Sequence, residues 1–337
     1  MGSRVADTIG PASDADELQP KSPVPCTVAL RPVGAMPTVS IIVPSFNQGR
    51  FLRSTLDSIL SQDHRPIEVH VIDGGSRDET LAVLESYGDR PELRWTSERD
   101  RGVVHAVNKG FARVRGDIVA IQSSDDCYLP DALRVVVAAF QADPSMGLVY
   151  GDTAVIDAEG QELRRTRIGP YSLEGLLLLR TWIPQPSAFF RRELLDAVGG
   201  WDDAIPYAPD TDLWLRMAFR TSVRKLDRCL SQRRIHDAQR DRQAAQIVRD
   251  FGLMIDRSAD IAGAPRRLRR AARASKHLIR QRYAAGLSDW GIAWHLVRAA
   301  MICPTARNPR GVAHHLWLPV RKALSRTKRR FFGARPA

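Results

Sequence analysis

Ile118-Val119-Ala120-Ile121-Gln122-Ser123-Ser124-Asp125-Asp126 is the stretch that decides how the rest of the chain is read. Four apolar residues in a row, three of them β-branched, spell a short buried strand. The run then breaks into two hydroxyls and two adjacent carboxylates. In an open α/β sheet, ligands bind beyond the carboxyl ends of the strands. Two neighbouring carboxylates repel each other unless a cation shares them. A hard divalent ion with oxygen ligands suits such a place and commonly brings a phosphate with it. A solvated Asp-Asp turn is the plain alternative. The company the strand keeps decides between them.

Upstream, Val39-Ser40-Ile41-Ile42-Val43-Pro44 reads as a second buried strand, ending in the polar loop Ser45-Phe46-Asn47-Gln48-Gly49. Leu52, Leu56, Ile59 and Leu60 then share one helical face. A strand over 67–73 ends in Asp73-Gly74-Gly75-Ser76, and a helix is predicted over 78–87. A short strand over 93–97 and a helical stripe of Val104, Val107, Phe111 and Val114 lead back to Ile118. A helix over 131–140 and a strand over 147–150 follow. Alternating strands and helices predict βαβ units and a mostly parallel, Rossmann-like α/β sheet flanked by helices. No Gly-x-Gly-x-x-Gly follows the first strand, which argues against a dinucleotide site. The polar clusters Ser45/Asn47, Asp73/Ser76 and Asp125/Asp126 should instead converge on one sheet edge, where a nucleotide would lie.

After Tyr150 the alternation breaks down. Trp182-Ile183-Pro184-Gln185-Pro186-Ser187 is a Pro-stiffened loop and Gly199-Gly200-Trp201-Asp202 a turn. Asp210-Thr211-Asp212 opens an amphipathic helix, where a carboxylate is either a cap or a catalytic group.

The 337 residues, 44% of them hydrophobic, suit one or two soluble globular domains. Residues 1–37 are Pro-rich without periodicity and read as a flexible leader, 38–225 as the catalytic domain, and 226–337 as a basic, mainly helical region. Four scattered cysteines suggest no disulfide framework and fit a reducing, cytoplasmic compartment. No secretory signal or membrane span is visible; the apolar run 292–303 is short and carries His295 and Arg298. The net charge of +12 is unevenly placed. Residues 226–337 hold 25 Lys+Arg against seven Asp and no Glu, which is +18 and leaves the rest at −6. Arginines at 266–282 interleave with Leu268, Leu278 and Ile279, followed by Trp290, Ile292, Trp294, Leu296 and Val297 and by a second basic run over 321–330. Basic residues beside Trp and Leu suit peripheral contact with an anionic membrane at its inner face. The other partner for such charge is nucleic acid, yet no nucleic-acid motif is present and none is expected to bind.

The strand Val39–Asn47 resembles the opening strand of family 2 glycosyltransferases, and Val71–Thr80 resembles their second strand. Asp100-Arg101-Gly102 with Asn108-Lys109-Gly110, Ser123-Ser124-Asp125-Asp126, Trp182–Arg192, Gly199-Gly200-Trp201-Asp202 and Asp210–Arg216 continue the resemblance in order, over about three-fifths of the chain. It implies the GT-A fold and an inverting transfer of a sugar from a nucleotide diphosphate sugar (UDP-, GDP- or dTDP-linked). The acceptor would be a saccharide or lipid-linked hydroxyl, in polysaccharide, lipopolysaccharide or glycolipid assembly. Pro44, Ser45 and Asn47 match the loop lining the nucleoside, and Asp73 the acid that reads the base edge. Arg101, Asn108 and Lys109 match positions near sugar and base, and Ser124 flanks the donor. Asp125, with Asp126 beside it and His236 in the late Arg234-Ile235-His236 element, matches the holder of a divalent metal, Mg or Mn. Ser123 stands where the first acid of the family's DXD motif is usual. Asp210 matches the catalytic base.

The implied chemistry has two parts. A metal at Asp125 would neutralise the leaving diphosphate, and Asp210 would take the acceptor's proton. Trp182, Gln185 and Trp201 are candidates for an acceptor floor, with core packing as the alternative for both tryptophans. A sugar-phosphate nucleotidyltransferase would want a Gly-rich basic loop after the first strand, and Ser45–Gly49 is not one.

Overall fold

A computed structural model describes residues 28–236, 244–283 and 288–306. Its first half follows the predicted alternation. β1 (Val39–Ser45), α1 (Gly49–Leu60), β2 (Ile67–Asp73), α2 (Thr80–Glu85), β3 (Leu93–Ser97), α3 (Val103–Phe111) and β4 (Ile118–Ile121) form the βαβ units. Then come β5 (Cys127–Tyr128), α4 (Ala132–Ala142), β6 (Met146–Ile156), β7 (Glu162–Thr166), α5 (Leu173–Leu177), β8 (Ala188–Arg191), α6 (Arg192–Val198), α7 (Pro209–Ala218) and β9 (Ser222–Arg234). The helices α8 (Ala244–Arg257), α9 (Ala259–Gly263), α10 (Arg266–Arg282) and α11 (Asp289–Ile302) follow.

The strands make one sheet in the order β3-β2-β1-β4-β8-β6-β9-β5, with β7 beside β6. Strands β3, β2, β1 and β4 are parallel, so their C-terminal ends lie on one edge as expected. The other half is mixed: β8 runs antiparallel to β4 and β6, while β6 and β9 are parallel. Val39, Ile41, Val43, Val69, Val71, Ile118 and Ala120 pack with Leu52, Leu56 and Ile59 of α1 on one face. Ile42, Ile72, Val119 and Ile121 pack with Val104 and Val107 of α3 on the other. Burial on both faces is why these strands are near-continuous apolar runs.

Regular structure begins with β1 beside the expected 37/38 break and crosses the expected 225/226 break. The break between 225 and 226 falls inside β9, which pairs with both β6 and β5, so the catalytic sheet runs on to Arg234. Beyond it, Phe251, Met254, Ile261, Leu268 and Ala271 join the same apolar cluster as Leu213 and Trp214 of α7. The helical region thus packs as a cap on the domain, with α10 against α5. At the other end, residues 28–37 carry no regular structure but are held down: Arg191 donates to the Arg31 carbonyl, and Arg31 pairs with Glu193 at 2.9 Å. Residues 1–27 and the basic run at 321–330 lie outside the described residues.

Candidate functional site

Beyond β4 the chain turns at Ser123–Asp126, with Asp126 N–H donating to the Ser123 carbonyl at 3.1 Å. It then enters β5, which pairs antiparallel with β9, Cys127 opposite Gln232 and Tyr128 opposite Ser231. This pairing brings the end of β9 back beside the two acids, and they face different ways. Asp126 is only 4% exposed, and its Oδ1 accepts the Arg234 backbone N–H at 2.8 Å. Burial, with the Asp125 charge next to it, pushes its carboxyl well above the usual range. Asp125 Oδ2 lies 3.0 Å from His236 Nε2.

Arg234 locks this corner. Its Nε donates to the Asp125 carbonyl at 2.9 Å, and Nη1 to the Asp157 and Ala158 carbonyls at 3.1 Å each. Nη2 reaches Ser54 Oγ at 3.3 Å. The Phe51 ring packs against both the guanidinium, at 5.0 Å, and the His236 ring, at 4.8 Å. Arginine's planar fork is what lets one side chain tie two backbone segments and the Ser54 hydroxyl.

The neighbouring strand ends are stitched to one another. The Gly74 N–H donates to the Ser45 carbonyl, Asn47 N–H to Ser76 Oγ, and Arg77 N–H to Asn47 Oδ1. Asn47 takes a left-handed φ of 52° to do so. Gly49 opens α1 where a Cβ would sit 2.6 Å from both Glu79 Cγ and Thr80 N, and its N–H donates to Asp78 Oδ2 at 2.9 Å. Asp73 is completely buried. Its oxygens accept from Gly75 N–H, Ser76 N–H, Ser76 Oγ and Ser97 Oγ at 2.5–3.1 Å.

Further along, the Asn108 carboxamide is doubly engaged by the Trp201 backbone, donating to its carbonyl and accepting its N–H at 2.9 Å each. Gly200 is required there, since a Cβ would collide with Asn108 Oδ1. Lys109 pairs with Glu98 at 2.9 Å, and Arg101 lies on the surface near Asp203. Gln185 Nε2 donates to the Ile121 carbonyl and its Oε1 accepts from Ser123 Oγ at 3.1 Å, fixing the Pro-stiffened loop to the end of β4. Trp201 belongs to the core, whereas Trp182 is 37% exposed.

Helix α7 begins at Pro209, so Asp210 stands in its first turn, half-buried, with Oδ1 accepting the Thr211 N–H at 2.7 Å. Proline suits that first position, where its missing N–H costs nothing. Asp212 accepts from Arg216 Nε at 2.8 Å, and Arg216 also donates to the Val198 and Gly200 carbonyls. Burial raises the Asp212 carboxyl and Arg216 opposes the rise. Beneath the approach to α7, the fully buried Asp250 of α8 accepts the Tyr207 N–H at 2.8 Å.

The family model for glycosyl transferase family 2 matches residues 40–199. A glycosyltransferase of Rickettsia prowazekii, named RP339 and otherwise uncharacterised, is 30% identical over 64% of this chain and 69% of its own length. The chain belongs to glycosyl transferase family 2. Some curated relatives are much longer; the match spans 35% of one from Rickettsia felis. Among solved structures, residues 1–349 of TarS from S. aureus, in complex with UDP-GlcNAc, superpose with a TM-score of 0.60 at 16% identity, over 79% of this chain and 82% of that one. The mannosyltransferase PcManGT from Pyrobaculum calidifontis, in complex with GDP-Man and Mn2+, gives 0.58 at 23% identity, over 88% and 83%. The fold is GT-A.

The residues matched to family 2 roles have the following partners in the structure. Asp126 Oδ1 accepts the Arg234 backbone N–H, while Asp125 Oδ2 faces His236 Nε2. Among the described residues no group of three His, Cys, Asp or Glu is placed to hold a metal. Asp73 has no exposed surface, and its oxygens accept from four donors, two of them the Ser76 and Ser97 hydroxyls. Asn108 clamps the Trp201 turn. Asp212 does not cap α7, which takes Ala208 as its N-cap residue; it pairs one turn along. Ser45 and Ser124 are buried at the strand ends, Ser45 Oγ without a hydrogen-bond partner. Asp250 was missed, although it sits on the helical face of Phe251 and Met254, where an acid needs a reason.

Proposed function

We propose that this chain transfers a sugar, with inversion, from a nucleoside diphosphate sugar to an acceptor hydroxyl on a saccharide or lipid-linked saccharide. The observation that carries this reading is the Asp125–His236 pair, 3.0 Å apart, where the end of β9 returns to the end of β4. One carboxylate and one imidazole suit a divalent ion that takes its remaining ligands from diphosphate oxygens and water. Asp125 and His236 would hold it, and when bound it would neutralise charge on the departing diphosphate. Arg234 keeps the Asp125 backbone fixed, so the carboxylate does not have to be ordered when the donor arrives. Asn47 would line the nucleotide from the rim, over Pro44, Ser45 and Ser124 buried at the strand ends, with Arg101 and Lys109 flanking it. Asp210 takes the acceptor's proton as the hydroxyl attacks the anomeric carbon. A single base and one in-line displacement, without a covalent intermediate, invert the anomeric centre.

The reading is tested by thermal shift with UDP, GDP and duplex DNA, each with and without Mn2+. Metal-dependent stabilisation by one nucleotide and none by DNA is expected. Asp125→Asn should lose the metal-dependent part while keeping the unliganded melting temperature. Equal metal dependence in that variant refutes the assignment. A donor panel read by release of nucleoside diphosphate then identifies the sugar.

A further inference from the structure

Helix α11 is inside out. Its buried positions are Ala293, His295, Leu296 and Ala299, two alanines, a leucine and a histidine. Its large side chains face outward: Trp290 is 57% exposed, Trp294 53%, Val297 40% and Met301 70%. Positions 290, 294, 297 and 301 recur at helical spacing and form one continuous stripe. A surface helix that turns its indoles to water and its alanines to the core is built to be covered.

The surroundings of the stripe are cationic. The Arg298 guanidinium stacks over the Trp294 ring at 5.4 Å. His277 of α10 meets the same ring edge-on at 5.6 Å. Arg280, on the same helix, is exposed, while Lys276 pairs with Asp256 at 2.7 Å. Arg266, Arg270 and Arg273 stand exposed further along α10. Asp289, at the start of α11, is the one carboxylate of that helix.

We propose that the outward face of α11 seats this chain on the headgroup layer of an anionic bilayer. Trp290 and Trp294 place their amphipathic rings at the level of the headgroups, Val297 and Met301 reach the acyl boundary, and Arg298 and Arg280 meet lipid phosphates. The helix lies on the membrane and does not cross it: no helix of the described residues is long and apolar enough to span. Charge complementarity selects lipid over a second copy of the chain, since the exposed Arg266, Arg270, Arg273 and Arg280 of α10 beside Arg298 would face themselves across a dimer. This inference is independent of the transferase chemistry, because it rests on α10 and α11 and is read without substrate.

The test is sedimentation of the full chain with vesicles of phosphatidylglycerol or of phosphatidylcholine at low salt. Binding to the first alone is expected, reversed by high salt as the charges are screened. Trp290→Ser with Trp294→Ser should cut the bound fraction's partition coefficient by roughly tenfold or more. Because both side chains are exposed, the double variant should keep the wild-type circular dichroism and melting temperature. Arg280→Gln with Arg298→Gln should weaken binding and flatten its salt dependence. Undiminished binding by the tryptophan variant overturns the proposal. So does a wild-type dimer in gel filtration that the tryptophan variant converts to monomer without any vesicle binding, which would make the face a contact between copies. Equal binding to both lipids also overturns it.

Discussion

Replacing Arg234 by lysine keeps a positive charge and asks whether the fork is what matters. The guanidinium ties the carbonyls of Asp125, Asp157 and Ala158 and the Ser54 hydroxyl from three different nitrogens. A lysine ammonium reaches one of these sites in place of the set. Hydrogen bonds to a charged group are worth about 1.5–3 kcal/mol each. Two of the carbonyl bonds would be lost and replaced by nothing, at a site only 4% exposed. Water partly repairs such a loss, so about 3 kcal/mol is expected. In a fold of this size that lowers the melting temperature by roughly 6 °C. The Asp126 carboxylate should be spared, because it accepts the backbone N–H of residue 234 and not the side chain. Differential scanning fluorimetry reads the stability. The same instrument reads the nucleotide response with Mn2+, which should shrink because the Asp125 backbone is no longer held. Ser54→Ala, which removes the 3.3 Å bond along with the hydroxyl's own bond to the Phe51 carbonyl and its contact with Cys127 Sγ, is the control and should cost under about 1 kcal/mol. An Arg234→Lys variant melting within about 1 °C of wild type, a fraction of the shift worked above, would refute the reasoning.

Asp210→Asn should cut turnover by ~10²–10⁴-fold with donor binding nearly unchanged, as measured by initial rates beside nucleotide titration; retained turnover removes it as the base. Asp212→Ala should lower stability by about 2 kcal/mol, more than a lost cap, because Arg216 and the Gly199–Trp201 turn lose their anchor. Thermal melts of a stable, inactive Asp212→Ala protein would show the two roles exchanged. His277 and His295, whose Nδ1 atoms lie 3.0 Å apart, are both pushed down by burial, with nearby cations adding to it. The fold holds them neutral while the unfolded chain protonates first, so their stability is complete above about pH 6.5 and falls as pH drops through it. Melting curves from pH 8 to 5 should show that fall, less steeply in His277→Gln with His295→Gln. His70, lowered chiefly by burial, falls in the same direction and remains in the double variant.

The parallel half of the sheet was legible because its strands are buried on both faces and written as unbroken Val and Ile runs, as in Ile118–Ile121. The end of β4 was legible for the complementary reason: nothing in a core needs Asp125 and Asp126 side by side. What was not legible is which way each polar side chain turns. Asp73, Asn108 and Asp126 look alike in sequence to ligand-reading residues. In the structure they bond to backbone groups 2 to 108 residues away, and Asp73 also to the Ser76 and Ser97 hydroxyls. Strand β9 escaped because its residues, Ser222–Arg234, are largely polar and half-exposed, without an apolar alternation. Its strandness comes from β6 and β5 on either side. The basic count of the last third was visible. The inverted face of α11 was not, because it depends on which side α10 covers.

The pairing of β5 with β9 has a consequence for how the chain is born. Asp125 and His236 are 111 residues apart in sequence. At a synthesis rate of about 5–20 residues per second, the aspartate emerges roughly 6–20 s before its partner. Through that interval β5 and one side of β6 have no neighbour, and an unpaired strand edge is a template for other chains. The nascent protein should therefore wait, incomplete and exposed, until the last strand is delivered. A ribosome stalled short of residue 236 would present a sheet without its corner, a natural client for a chaperone.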